Sequence, residues 1–94
     1  MVREDINKSI IRYLKKYHVD RIGIFGSYAR NQNLKNSDLD LLIRFQKNPT
    51  LLQMAKIERE LSEILGIKVE IVTEPSLTDK ILKKNIEEDL QIIF

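Results

Sequence analysis

The stretch Ile24-Phe25-Gly26-Ser27-Tyr28-Ala29-Arg30, followed after a polar loop by Ser37-Asp38-Leu39-Asp40-Leu41-Leu42-Ile43, decides how the rest of the chain is read. Arg21 to Phe25 is short, apolar and β-branched, and Gly26 punctuates its end, the pattern of a strand entering a turn. Ser27 to Arg30 reads as one or two short helical turns, and the polar, asparagine-rich run Asn31 to Asn36 reads as a loop. Asp38 to Phe45 is a second strand. In it Leu39, Leu41, Ile43 and Phe45 alternate with Asp38, Asp40, Leu42 and Arg44, so one face meets a core and the other opens on two carboxylates.

Side chains two apart on a strand share a face and lie about 6.5 Å apart along it. Asp38 and Asp40 are therefore placed to converge on a cation. Neighbouring carboxylates repel one another and lack a partner, and a hard, oxygen-seeking ion such as Mg²⁺ supplies one. Gly26 lets the backbone approach a ligand closely, a helix beginning at Ser27 would offer free N–H groups to an anion, and the Ser27 hydroxyl adds a donor. Gly-Ser alone is ordinary turn chemistry, and Asp-x-Asp alone commonly decorates a solvated strand face. In the order strand, Gly-Ser, short helix, polar loop, Asp-x-Asp and apolar strand, they point to a metal site beside a phosphate cradle.

Outward from this centre, residues 3 to 18 read as an amphipathic helix with Ile6, Ile10, Leu14 and Tyr17 on one stripe and Ile11 beside it. Asn48 and Pro49 read as the cap and first residue of another helix, supported by Leu52, Ala55, Leu61 and Leu65 and stopped at Gly66. Ile67 to Thr73 is a third strand, in which Glu70 is set among Val69, Ile71 and Val72; Pro75 and Ser76 open a further helix. Leu90 to Phe94 is apolar enough for a short last strand or a contact surface. The fold class is therefore α/β (α+β): a small mixed sheet of three to four strands covered by helices, in one domain spanning residues 1–94. The short link between the first two strands allows an antiparallel pair, and the helix before the third permits a parallel crossover.

A chain of 94 residues is enough for one compact domain. Sixteen basic and fourteen acidic residues leave a net charge of +2, without the basic stripe of a nucleic-acid binder, so no direct nucleic-acid binding is expected. Lys15-Lys16 and Lys83-Lys84 read as solvated helix faces. The absence of cysteine excludes disulfides and thiolate metal sites. No apolar run reaches the length of a membrane span and the first residues lack a signal-peptide core, so the expected location is cytoplasmic.

The stretch from Ile22 to Phe45 resembles the nucleotidyltransferase superfamily related to DNA polymerase β, in its minimal prokaryotic branch. Gly26, Ser27, Asp38 and Asp40 match that family in type, order and spacing, and the helix and strand that follow extend the likeness over nearly the whole chain. The resemblance implies a third carboxylate on a later strand, for which Glu70 is the candidate, in preference to a merely polar residue on the outer face of a half-buried strand. Where family members often carry Ala-Arg-Gly-Glu, this chain has Ala29-Arg30-Asn31-Gln32. Asn tolerates a left-handed backbone better than other non-glycine residues, so Asn31 can replace the glycine, while Gln32 keeps the length of Glu without its charge. Arg30 either contacts phosphate or pins the loop. His18 and Tyr28 read as structural, and Ser37 as bonding either a loop backbone or a phosphate.

The resemblance implies a Mg²⁺-dependent transfer of a nucleoside monophosphate, AMP from ATP, onto an acceptor hydroxyl by in-line displacement at the α-phosphorus. Asp38, Asp40 and Glu70 would be the catalytic and metal residues, holding two ions, with Gly26, Ser27 and Arg30 on the phosphates of the ATP donor. In the minimal branch the partner is often a small helical protein of the HEPN type, the pair forming a toxin–antitoxin system in which a toxin tyrosine is adenylylated. The expected partners are thus a HEPN-type helical toxin and a nucleoside triphosphate, with no membrane. The alternatives are an inactive binding module that neutralises its partner by contact, and a small-molecule transferase of the aminoglycoside type, which usually needs a second domain to hold the drug.

Overall fold

Apolar residues at Ile6, Ile10, Tyr13 and Leu14 bury one face of helix α1, Arg3–Leu14, in a computed structural model that describes residues 2–34 and 36–94. Lys35, within the loop expected over 31–36, lies outside the described residues. A 3₁₀ turn, Lys15–Tyr17, continues α1, and His18 closes it in the left-handed region at φ 52°. The chain then enters strand β1, Val19–Phe25, two residues before the expected start because Val19 is also buried. Strand β2, Leu39–Phe45, pairs antiparallel with β1, from Val19 opposite Phe45 to Phe25 opposite Asp40. Helix α2, Leu51–Leu65, crosses over to strand β3, Val69–Thr73, which pairs parallel with β2. After a 3₁₀ turn, Glu74–Ser76, helix α3, Lys80–Asp89, returns across the sheet to strand β4, Gln91–Ile92, antiparallel to β1. The sheet order is β3-β2-β1-β4, a mixed sheet as the sequence predicts.

The two sheet faces do different work. Leu39, Leu41, Ile43, Ile22 and Ile24 pack with α1 and with Ile57, Leu61 and Leu65 of α2 in one continuous core. Five of these sheet residues are fully buried, so the alternation read from β2 holds, and this face supplies most of the hydrophobic stabilisation. On the opposite face Leu42 of β2 and Ile86 of α3 are buried apart from that core. There Glu74 is ion-paired with both Arg21 of β1 and Arg44 of β2, tying the turn before α3 to the sheet. Burial opposes ionisation of Glu74, but its bonds to Arg21 and Arg44 outweigh that and hold its carboxyl below the usual range.

Two details of α2 differ from the sequence expectation. Its cap is Thr50, not Asn48: the Thr50 hydroxyl accepts from the Gln53 amide at 3.2 Å while Gln53 Oε1 accepts from the Thr50 amide at 2.8 Å, a reciprocal capping box. Leu52 and Ala55 are exposed, because Ile57, Leu61 and Leu65 at i, i+4, i+8 set the phase of the buried stripe. The stop at Gly66 is as expected, with φ 67° and its amide bonded to the Ser62 carbonyl at 2.8 Å. Thr50→Ala should cost about 1 kcal/mol in urea unfolding, whereas Asn48→Ala should change stability by less than about 0.5 kcal/mol.

Candidate functional site

β1 ends where β2 and β3 begin, and at that end the sequence-predicted residues meet. Phe25 sits opposite Asp40 in one ladder and Glu70 opposite Asp40 in the other, so Asp40 is the centre of three adjacent strands. Asp38 precedes it by two residues and is half-buried, as Asp40 is, while Glu70 is exposed. Gly26 has φ 75°, and a Cβ placed on it would collide with the Asp40 carboxylate, whose Cγ would lie 3.3 Å away. Glycine is therefore required twice here, for the left-handed backbone and for the close approach of the turn to Asp40.

Residues 27–32 form hydrogen-bonded turns rather than the short helix expected from sequence. The Arg30 amide bonds the Gly26 carbonyl at 3.2 Å, closing one helical turn, and the Gln32 amide bonds the Ser27 carbonyl at 2.9 Å. Asn31 has φ 56°, the left-handed backbone anticipated for it, and that ends the helical path after a single turn. Among the described residues the amides of Ser27, Tyr28 and Ala29 have no backbone acceptor, so even one turn presents anion-binding donors beside Asp40. Tyr28 and Ala29 bury their side chains in the main core, which leaves their backbone on the surface of the site.

Arg30 pins this loop. Its Nε donates to Gln32 Oε1 at 3.1 Å and its Nη1 to Asp89 Oδ2 at 2.7 Å, at the end of α3. The Gln32 side chain thus works without the charge of the family's Glu. Ser37 also serves the loop backbone, accepting from the Leu34 amide at 2.7 Å. His18 is exposed, and its carbonyl accepts from the Gln46 amide at 3.0 Å, a structural role.

The carboxylates interact electrically. Burial raises the Asp40 carboxyl above its ordinary value, Glu70 and Asp38 raise it further, and Arg30 partly opposes them. The ammonium of Lys68 lies 4.0 Å from Asp38 and 3.9 Å from Glu70, an exposed pairing at the limit of contact that the sequence pattern did not single out. As the side chains stand, no three acidic or histidine groups among the described residues close around one point. The donor set nevertheless fits a hard divalent cation: only carboxylate oxygens, with Asp40 and Glu70 on paired strands and Asp38 just before β2, the outer two each raising the cost of ionising the central one.

The nucleotidyltransferase domain family matches residues 7–93, and the chain belongs to it. The chain is similar to a Methanocaldococcus jannaschii protein named as a candidate protein adenylyltransferase, 44% identical over 88 residues, which are 93% of this chain and 90% of that one. It is also similar to the protein adenylyltransferase MntA of Thermococcus cleftensis, 36% identical over 74 residues, covering 79% of this chain and 75% of that protein. Among solved structures, a candidate minimal nucleotidyltransferase superposes with a TM-score of 0.78 at 30% identity, over 94% of this chain and 89% of that one. A toxin–antitoxin structure with AMP-PNP superposes with a TM-score of 0.84 at 20% identity, over 94% of this chain and 72% of that one, a likeness of fold. The small mixed sheet covered by helices expected from sequence is observed, among the described residues, as three α-helices on four strands, the fold of the minimal nucleotidyltransferases.

Because the folded protein holds the Asp40 proton more tightly than the unfolded chain does, this group favours folding at low pH and opposes it as pH rises through the raised value. In the metal-free protein Asp40→Asn should therefore raise the thermal midpoint at pH 7. The gain should shrink toward zero as the pH is lowered into the ordinary carboxylate range, as differential scanning calorimetry across pH would read.

Proposed function

We propose that this protein transfers AMP from ATP to a hydroxyl of a partner protein. The partner we propose is a small helical toxin of the HEPN type and the acceptor is one of its tyrosines, which makes this chain an antitoxin. The observation that carries the reading is the packing of the Gly26 turn directly on Asp40, with Asp38 and Glu70 on the same end of the sheet. The relatives' names support the transfer to protein. Support for the partner comes from a solved complex of a tri-AMPylated Shewanella oneidensis HEPN toxin with an MNT antitoxin, of TM-score 0.80 and 17% identity over 99% of this chain and 72% of that one.

In this mechanism the amides of Ser27, Tyr28 and Ala29 and the Ser27 hydroxyl donate to the triphosphate and orient pyrophosphate as the leaving group. Asp38, Asp40 and Glu70 would hold Mg²⁺, which when bound neutralises phosphate charge and makes the α-phosphorus more electrophilic. The acceptor oxygen bonds to the α-phosphorus as the bond to the bridging oxygen of pyrophosphate breaks. Glu70, whose side chain is half exposed, takes the hydroxyl proton on a carboxylate oxygen and is open to a hydroxyl brought in on another protein.

The test is incubation with Mg²⁺, ATP and a HEPN-type helical protein from the same organism, followed by intact mass measurement of both. One or more added AMP masses on the partner are expected. Asp38→Asn or Asp40→Asn should slow the transfer by at least about a hundredfold with unchanged circular dichroism, and chelation of Mg²⁺ should stop it. A stable complex without any mass gain would instead indicate neutralisation by contact.

A further inference from the structure

The turn that approaches Asp40 is held from behind by side chains from both ends of the chain. Arg3, at the start of α1, donates from Nη1 to the Tyr28 carbonyl at 2.9 Å and from Nη2 to Gln91 Oε1 at 2.8 Å. Gln91, at the start of β4, donates from Nε2 to the Ala29 carbonyl at 2.9 Å. Arg3 Nε is anchored in turn on Asn7 Oδ1 of its own helix at 3.2 Å. Two adjacent carbonyls of the turn are thus each taken by one side chain, and those two side chains are bonded to each other.

A peptide group is planar and trans, so its C=O and N–H point in opposite directions. Fixing the Tyr28 carbonyl toward Arg3 fixes the Ala29 amide away from it. Fixing the Ala29 carbonyl toward Gln91 fixes the Arg30 amide, which closes the turn on the Gly26 carbonyl. Gln91 is itself held in register, opposite Ile24 on β1. Gly23 permits this, since a Cβ there would lie 2.5 Å from Leu90 Cδ1 and 3.2 Å from Leu90 Cγ. The adjoining Asp89 pairs with Arg30 at the other end of the same turn.

We infer that Arg3 and Gln91 are positioning residues which, through the Tyr28 and Ala29 carbonyls, preset the amides of the Gly26–Arg30 turn for a nucleoside triphosphate. The inference rests on the function proposed above for its ligand, and on the hydrogen bonds alone for the brace. Presetting donors removes ordering cost from binding and keeps them aimed as charge moves to the leaving group. Both side chains are spent on the turn carbonyls and on each other, so their effect passes through the backbone. The fork of Arg3 matters, because a planar guanidinium fixes the directions of its donors, whereas the ammonium of a lysine rotates on a flexible stem.

The test compares wild type with Arg3→Ala, Arg3→Lys, Gln91→Ala and Gln91→Glu, the last keeping an acceptor for Arg3 while losing the donor to Ala29. Amide hydrogen exchange in the nucleotide-free protein is read at Arg30, Asn31 and Gln32, whose amides are bonded within the turn, and across β1 and β2, and the Kd for MgATP is read by titration calorimetry. Exchange should rise at 30–32 but not across the strands, and MgATP should bind about tenfold more weakly, with Arg3→Lys and Gln91→Glu recovering little. Turn amides exchanging at the wild-type rate in Arg3→Ala and Gln91→Ala would overturn the inference. So would exchange rising equally across the strands, or looser amides with unchanged MgATP affinity. A wild-type protein that binds MgATP but modifies no partner would count against the transferase reading and leave the brace standing.

Discussion

The contact between Gly26 and the carboxylate of Asp40 is the constraint around which the rest of the structure is arranged. No side chain can stand between the turn and the strand, and the backbone at Gly26 lies where L-residues are strained. That contact fixes where β1 must end and hence the pairing of Phe25 with Asp40. Because β3 pairs in parallel with β2, the same register carries Glu70 to the side of Asp40. A turn with unclaimed amides and three carboxylates are therefore brought together by one close approach and two strand ladders.

Holding carboxylates together is unfavourable, and burial of Asp40 adds to the cost. The division between the sheet faces offsets it. Of the buried large aliphatic side chains, all but Leu42 and Ile86 belong to the core under α1 and α2, while the other face is only partly covered by α3. The stable half of the domain thus carries the strained half, as expected where binding groups must stay open to a ligand. Glu74, between Arg21 and Arg44, anchors the chain as it leaves β3, so that α3 covers Leu42 and brings Asp89 back to Arg30.

A four-stranded sheet has two edges, and each is managed differently. On β3 the amides of Val69 and Ile71 are capped by Ser62 Oγ at 2.9 Å and Glu58 Oε2 at 2.8 Å, side chains of the crossover helix. The edge next to the carboxylates is therefore closed to a pairing strand by the helix that delivers it. β4, only two residues long, covers the other side of β1 and delivers Gln91 to the turn.

Local features whose cause lies within a few residues were legible from the residues alone. The period-two pattern of Leu39 to Phe45 separates core from carboxylates, Gly66 stops α2, and Asn31 takes the left-handed backbone the turn needs. The order of Gly26, Ser27, Asp38 and Asp40 was enough to suggest the family, because spacing along a strand–turn–strand unit is itself geometry. Two readings of α2 were corrected by the structure. Asn48-Pro49 reads as the helix start, but the reciprocal bonds of Thr50 and Gln53 place the cap at Thr50. Leu52 and Ala55 look apolar enough for a core, yet the phase that docks Ile57, Leu61 and Leu65 on the sheet turns them outward. Only the tertiary structure joined Arg3, Gln91 and Asp89 to the turn, or placed Lys68 between Asp38 and Glu70. Arg3, Gln91 and Asp89 stand far from the turn in the chain, and nothing in the composition around Arg3 or Gln91 distinguishes them from surface residues until the strands close and bring them together.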